Sequence, residues 1–358
     1  MAKQQSIGAV MADMTARCTS CGDCVRPCAF LQRQGTPAAI AGRGATTEKL
    51  LAAYGCSLCG LCDGVCPEGL SPSYLFLAMR QQSAEKGLVD LKPYKPWLKY
   101  ERMASNILFQ RDLIPPGCTT VFFPGCSLPG TRPEAIKKLY SRLRQQDQSI
   151  GLVLDCCGKI SHDLGLREQF ETVFNKLHNR LQRYGVTRIL TACPGCSKIL
   201  RNNSNGLEVI SVYEHLLLSL PPEALLQDRQ HTVVIHDPCP SRFDAAQQQA
   251  VRKLLLGSGW QVEELPFNGS STRCCGQGGM VEGCVPGTVT KEAGIIAAAA
   301  AGRSLVSSCG ACCETLSATT PTAHIADLVT GTGGFATHQV SSLKRWLNRL
   351  KLRFSRLS

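Results

Sequence analysis

Hydrophobic and polar positions along the chain fall into distinct textures. In the N-terminal part the apolar positions recur at helical spacing. Thr46 to Tyr54 (TTEKLLAAY) opens on threonine caps with Glu48 in the first turn, and Pro72 to Lys86 (PSYLFLAMRQQSAEK) continues in the same style, so both segments are expected to be helices. From about residue 117 short β-branched or apolar runs alternate with helical stretches such as Pro133 to Gln146 and Leu166 to Tyr184. The runs expected as strands are Thr120 to Phe123, Leu152 to Leu154, Arg188 to Thr191, Thr232 to Ile235 and Ser304 to Val306. Such alternation predicts α/β lobes. At the C-terminus Leu343, Trp346, Leu347, Leu350, Phe354 and Leu357 share one helical face, with Lys344, Arg345, Arg349, Lys351, Arg353 and Arg356 among them. This reads as a basic amphipathic helix.

No apolar run approaches the roughly 20 residues of a membrane-spanning helix; Leu216 to Leu220 and Ala293 to Ala301 read as core helices. Met1 to Arg17 include Asp13 and lack a continuous apolar stretch, so they do not read as a signal peptide and a cytoplasmic protein is expected. With 358 residues, 44% hydrophobic and 18% charged, disorder and a collagen-like chain are excluded. The net charge of +12 suits an anionic partner. The C-terminal helix is therefore expected to lie peripherally on the inner face of the cell membrane or to dock on a membrane subunit, the plainer role being to cover its own core. Nucleic-acid binding is not expected.

The 21 cysteines change the picture, because a reducing compartment leaves metal ligation or redox chemistry as their main uses. Residues 18–28 read CTSCGDCVRPC and residues 56–67 read CSLCGLCDGVCP. Thiolates at every third position wrap three corners of a 4Fe-4S cube, while the fourth cysteine reaches the other cube in a two-cluster ferredoxin. Cys18, Cys21, Cys24 and Cys66 are accordingly expected to hold one 4Fe-4S cluster, and Cys56, Cys59, Cys62 and Cys28 a second. Structural zinc is the alternative, but zinc ligands usually come as two separated pairs.

Downstream, the turns PGC (124–126), DCCG (155–158) and CPGC (193–196) are followed in the same order by DPC (237–239), RCCG (273–276) and CGAC (309–312). Cys126 and Cys239 lie 113 residues apart, Cys156 and Cys274 118, and Cys193 and Cys309 116, so this part of the chain is an internal repeat. Each expected strand ends in a cysteine turn, where ligands gather in open α/β sheets.

The motif Cx(n)CCGx(n)CxxC, with the forms FFPGCSL, HDPCPSR and CCGQGGM, resembles the cysteine-rich CCG domain of heterodisulfide reductase and of the iron–sulfur subunits of glycolate, lactate and anaerobic glycerol-3-phosphate oxidoreductases. The resemblance spans roughly residues 118–330. It implies an α-helical two-cluster ferredoxin domain followed by two α/β, Rossmann-like CCG lobes related by the internal repeat. The expected divisions are 1–110 for the ferredoxin-like domain, 111–230 and 231–335 for the lobes, and 336–358 for the C-terminal helix. Carried over residue by residue, it implies that Cys126, Cys156, Cys157, Cys193 and Cys196 bind one cluster, and Cys239, Cys274, Cys275, Cys309 and Cys312 another. These ten would be the catalytic ligands. Five thiolates exceed the four that a cubane or tetrahedral zinc takes, which points to one or two further 4Fe-4S clusters of noncubane form. Zinc or a single ordinary cubane in one lobe is the alternative. Gly158, Gly276, Gly278 and Gly279 are expected to let backbone N–H groups approach the sulfurs.

Cys118, Cys284 and Cys313 are left over; Cys313 is a candidate alternative ligand, and Cys118 and Cys284 are expected to be buried. His162, His236 and His324 lie near the cysteine turns and are expected to be satisfied structural residues. No GxGxxG follows a strand and no GxxxxGK[ST] occurs, so flavin or nicotinamide is expected on a partner. The expected activity is that of an oxidoreductase subunit in which ferredoxin-type clusters relay electrons to CCG clusters that reduce a disulfide or exchange electrons with a partner. The alternative is an electron-transfer subunit of a flavin-dependent hydroxy-acid or glycerol-3-phosphate dehydrogenase feeding the quinone pool. The partners expected are a flavoprotein or other redox subunit and a membrane cytochrome b or quinone-reactive subunit.

Overall fold

Serine and threonine caps set the starts of the N-terminal helices. Ser6, Thr36 and Thr46 each accept the third amide of the helix that follows, Ile7–Arg17, Pro37–Gly42 and Thr47–Ala52 respectively. The structure, a computed structural model, describes residues 6–218, 231–337 and 339–356. Residues 219–220 of the Leu216 to Leu220 run, and Leu357, lie outside the described residues. The helical expectations hold closely: Thr47–Ala52 continues as a 3-10 turn over Ala53–Gly55, and Pro72–Glu85 is a single helix with proline in its first turn. Val10, Met14, Phe30, Leu31, Ile40, Leu50, Leu75, Phe76 and Met79 form the core of this region, with Phe30 edge-on to Phe76 at 5.0 Å.

Two mainly parallel sheets follow. The first contains β1 (Arg111–Leu113), β2 (Thr120–Phe123), β3 (Gly151–Leu154), β4 (Arg188–Thr191) and β5 (Glu208–Ser211), ordered β1-β3-β2-β4-β5 with β1 antiparallel. The second contains β6 (His231–Ile235), β7 (Trp260–Glu264), β8 (Leu305–Ser307) and β9 (Thr322–His324), ordered β7-β6-β8-β9. Without β1, the two orders are the same, so each lobe reverses its strand order beside the strand that leads to Cys126 or Cys239. Crevices at such reversals are where open α/β sheets bind ligands.

The lobes share a core. Phe122, Leu152, Leu154 and Leu190 of the first sheet belong to one apolar cluster with Val233, Ile235 and Val306 of the second, bridged by Ile136, Leu139 and Leu143 of Pro133–Gln146 and by Val251 and Leu254 of Ala245–Gly257. Alternate strand residues face outward into separate clusters. Val121 and Phe123 pack with Cys157 and Cys196, and Val234 packs with Cys275, Cys309 and Cys312.

Candidate iron–sulfur centres

The duplicated loops CTSCG and CSLCG share an uncommon backbone. Ser20 and Gly22 in the first, Leu58 and Gly60 in the second, all have positive φ, so the same left-handed residues wind each loop around its thiols. For serine and leucine this conformation is costly. Cys18, Cys21, Cys24 and Cys66 line one small hollow. Burial, with Cys18, Cys21 and Cys66 nearby, pushes the Cys24 thiol up to about 11. Cys28 instead stands by Cys59 and Cys56, and Cys62 joins the same group. The grouping brings together the crossed sets expected from the spacing. Burial is the main cause that raises the Cys24, Cys28, Cys56 and Cys62 thiols, and close thiols add to it, so a positively charged metal centre is what would stabilise their thiolates.

In the first lobe, Cys126, Cys156, Cys157, Cys193 and Cys196 gather at the C-terminal ends of β2, β3 and β4. A Cβ on Gly125 would lie 3.0 Å from the Cys196 sulfur, so only glycine lets that loop close over the set. In the second lobe, Cys239 and Cys274 are 3.8 Å apart and Cys275 and Cys312 3.3 Å apart, with Cys309 beside Cys312. The Gly276 amide donates to the Cys274 sulfur at 3.4 Å. The two CCG turns behave alike. Hydrogen bonds from Cys156 and Cys196 hold the Cys157 thiol down at about 6, and those from Cys274 and Cys312 hold Cys275 well below the ordinary thiol range. In each lobe the thiols run in contact from one to the next, although among the described residues no group of three or more His, Cys, Asp or Glu side chains is already placed to hold a single metal ion. All-sulfur donor sets of five, gathered at strand ends, fit iron–sulfur ligation.

The ferredoxin-type region is tied to both lobes. Hydrogen bonding to Cys274, with burial, pushes the Cys59 thiol well above its ordinary range, so the second thiol set reaches directly to the second lobe. Arg80, fully buried, donates to the carbonyls of Ala53, Tyr54 and Cys56, and also to Asp163 of the first lobe and Gly279 of the second. Arg242 donates to the Cys59 and Thr272 carbonyls at 3.1 and 2.7 Å. A Cβ on Gly278 would collide with the Ser57 carbonyl oxygen, which explains one of the expected glycines by domain contact. A cleft of about 550 Å³ opens where the three regions meet, lined by Cys59, Cys239, Lys159, His162, Pro194 and Phe243 among others. Burial opposes the Lys159 charge, but Asp163, paired with it, outweighs that and holds the ammonium above lysine's ordinary range. Sequence spacing gave no reason to single out Arg80, Arg242 or Lys159; an arginine on the buried face of Pro72–Glu85, beside Phe76 and Met79, was the available signal.

Several expectations are corrected. The C-terminal helix, Ser342–Phe354, does not present one apolar face. Trp346 turns inward onto Tyr100 and Phe109, with centroids 5.4 and 4.7 Å away, and Arg349 is buried over the Tyr100 and Trp346 rings. Leu352 is buried as well, whereas Leu343, Leu347 and Phe354 stay exposed on the other side. Aromatic faces make room for the buried guanidinium, and Tyr100 ties them to the first lobe by donating to the Cys126 carbonyl at 2.9 Å. Cys284 is exposed rather than buried, while Cys118 is buried as expected. Cys313 donates to the Ser307 and Ala323 carbonyls and so serves the β8–β9 pairing. His162 pairs with Asp163, and His324 caps Ile325–Thr330 through Nδ1 but leaves Nε2 without a partner. Both ring nitrogens of buried His236 lack a partner, contrary to a satisfied structural role.

Residues 14–70 match the 4Fe-4S dicluster domain, and residues 120–201 and 233–317 each match the cysteine-rich domain. The chain is similar to a component of the dihydromethanophenazine:CoB–CoM heterodisulfide reductase of Methanosarcina mazei, 24% identical over 360 residues, covering 83% of this chain and 87% of that protein. The corresponding component from Methanosarcina acetivorans is 24% identical, covering 75% and 79%. The EtfAB:quinone oxidoreductase of Syntrophomonas wolfei is 27% identical over 153 residues, covering 41% of this chain and 21% of that protein. No helix among the described residues is long and apolar enough to cross a membrane. With a 4Fe-4S dicluster domain followed by two cysteine-rich domains, the chain is a heterodisulfide-reductase-like iron–sulfur protein of the oxidoreductase class.

Proposed function

We propose that the chain is an electron-carrying subunit that takes single electrons from a partner and delivers them to cysteine-rich centres where a disulfide is reduced. In this reading Cys18, Cys21, Cys24 and Cys66 hold one 4Fe-4S cluster and Cys28, Cys56, Cys59 and Cys62 a second. Cys126, Cys156, Cys157, Cys193 and Cys196 hold a noncubane cluster, and Cys239, Cys274, Cys275, Cys309 and Cys312 another. Bound in these sets, the clusters supply the one-electron transfers, two of which, with two protons, convert a disulfide into two thiols.

The observation that carries this reading is the interdomain cleft with Cys59 and Cys239 in its wall. A sulfur substrate entering there meets the ferredoxin-type region and the second lobe together. Lys159, kept charged by Asp163, suits the thiolate that leaves as the S–S bond opens. His162, bonded to Asp163 at 2.9 Å, completes that polar wall.

A second reading has the chain passing electrons between a flavoprotein and a quinone-reactive membrane subunit. The exposed Leu343, Leu347 and Phe354, with Lys344, Lys351 and Arg356 beside them, favour it, since such a face suits the surface of an anionic membrane. Iron and acid-labile sulfide per chain after anaerobic purification, with EPR during disulfide addition, separates the readings. About sixteen irons, as four 4Fe-4S clusters contain, and a disulfide-dependent paramagnetic signal are expected. About sixteen irons without that signal would leave electron transfer alone, and about eight would remove clusters from both lobes.

A further inference from the structure

The internal repeat allows one lobe to be read against the other. Phe123 stands three residues before Cys126, and His236 three residues before Cys239, each at or just past the end of the strand that leads to its cysteine. Phe123 lies in the outward cluster of the first lobe with Cys157 and Cys196. On the second strand Val234 faces the matching cluster with Cys275, Cys309 and Cys312, and His236, two residues on, lies on the same side. An imidazole therefore occupies in the second lobe the position that a phenyl ring fills in the first.

That imidazole is 1% exposed, and neither Nδ1 nor Nε2 has a hydrogen-bond partner. Its backbone amide is used, donating to the Val306 carbonyl at 2.9 Å, so the residue is fixed while its ring is left over. The neighbouring Asp237 is committed elsewhere, to Arg252 and to the Gly269 amide. In any protonation state an imidazole carries at least one N–H. A buried N–H without an acceptor gives up its hydration with nothing in return. A phenyl ring at this position, as in the first lobe, would avoid that cost.

We propose that His236 is a further member of the second lobe's centre, whose ring N–H hydrogen-bonds to a sulfur of the cluster held by Cys239, Cys274, Cys275, Cys309 and Cys312. It is a positioning and tuning residue rather than an iron ligand. Hydrogen bonds to sulfur stabilise the added negative charge of the reduced cluster and raise its potential. The hydrogen bond thereby makes the second-lobe cluster, the one in contact with Cys59, easier to reduce than it would be with a phenyl ring at position 236.

This inference rests on the second lobe holding an iron–sulfur cluster. The test uses the full chain, purified anaerobically with ¹⁵N-labelled histidine, and follows the EPR signal that Cys309→Ser removes. A weak ¹⁵N hyperfine coupling is expected on that signal, lost in His236→Phe, together with a lower midpoint potential for that signal only. His236→Gln, which keeps an N–H donor, is expected to restore part of the potential, and its reading stands even where His236→Phe fails to fold. A second-lobe signal without ¹⁵N coupling overturns the hydrogen bond, and so does the large isotropic coupling of a directly bound nitrogen. About eight irons per chain with no such signal overturns the cluster assignment itself, and this inference with it.

Discussion

The two lobes have the same strand order and the same cysteine turns, yet different regions cover their thiol sets. The second lobe faces the ferredoxin-type region: Cys59 meets Cys274, Gly278 lies against Ser57, and Arg242 reaches the Cys59 carbonyl. The first lobe is backed by Tyr100 and the C-terminal helix; hydrogen bonding by Cys156 and burial push the Cys126 thiol well above its ordinary range, and the buried Arg349 opposes them only in part. A duplication has thus been put to unlike uses. The second lobe's thiols adjoin the set that contains Cys59, and the first lobe's adjoin a helix whose far side is apolar and exposed. Fold symmetry alone does not make the two sites equivalent; their neighbours decide what each can exchange electrons with.

Breaking the joint should have the largest effect. Arg80→Ala leaves five carbonyls in three regions without their donor and is expected to cost at least about 4 kcal/mol in chemical denaturation, with Arg80→Lys recovering only part. Next comes the pair in the cleft. Burial opposes the Asp163 charge, but Lys159 and His162 together hold its carboxyl below the usual range. Its folded pKa being lower than its unfolded value of about 3.9, the pair's stabilisation is complete above about pH 4 and is lost as pH falls towards the folded value. Asp163→Asn is therefore expected to cost about 3 kcal/mol at neutral pH and to flatten the acid-side slope of stability measured by urea titrations across pH. An unchanged slope would assign acid sensitivity to other carboxylates.

How much of this was legible in the sequence depends on burial. The five strands read from the sequence, β2, β3, β4, β6 and β8, are the interior strands, enclosed on both sides and therefore written as apolar runs. The four not read, β1, β5, β7 and β9, are the sheet edges, short or carrying charges such as Arg111, Asp112, Glu263 and Glu264. The cysteine sets were legible because most of their cysteines sit at a fixed local spacing within one turn. Contacts between regions were not: Arg80 and Arg242 act through carbonyls far away in sequence, which no local pattern records. The C-terminal helix shows the limit of periodicity. Leu343 and Leu347 share a face that stays exposed, whereas Trp346, at its margin, packs against Tyr100, Phe109 and the buried Arg349.

Smaller effects sharpen the contrast at the first lobe. Arg349→Met removes the charge near Cys126 and its contacts with Tyr100 and Trp346, at an expected cost of about 1–2 kcal/mol. With a cationic neighbour gone, the first-lobe cluster is expected to become harder to reduce while the second-lobe signal stays where it was. An EPR-monitored redox titration reads both at once, and a shift of the two together would argue for a general loosening of the chain instead.

The smallest change in stability is expected on the outer side of the same helix, where Leu347→Glu and Phe354→Ser replace exposed side chains without disturbing Trp346, Arg349 or Leu352. Each should alter denaturation by no more than about 0.5 kcal/mol. Their effect lies in association: wild-type chain is expected to sediment with vesicles containing phosphatidylserine and the double variant to remain in the supernatant. Apolar side chains anchor the face and basic ones draw it to anionic lipid, so raised salt should weaken the wild-type association too. Equal sedimentation of both proteins would show that this face does not bind lipid, and would leave the first lobe's outer helix to a protein partner or to the solvent.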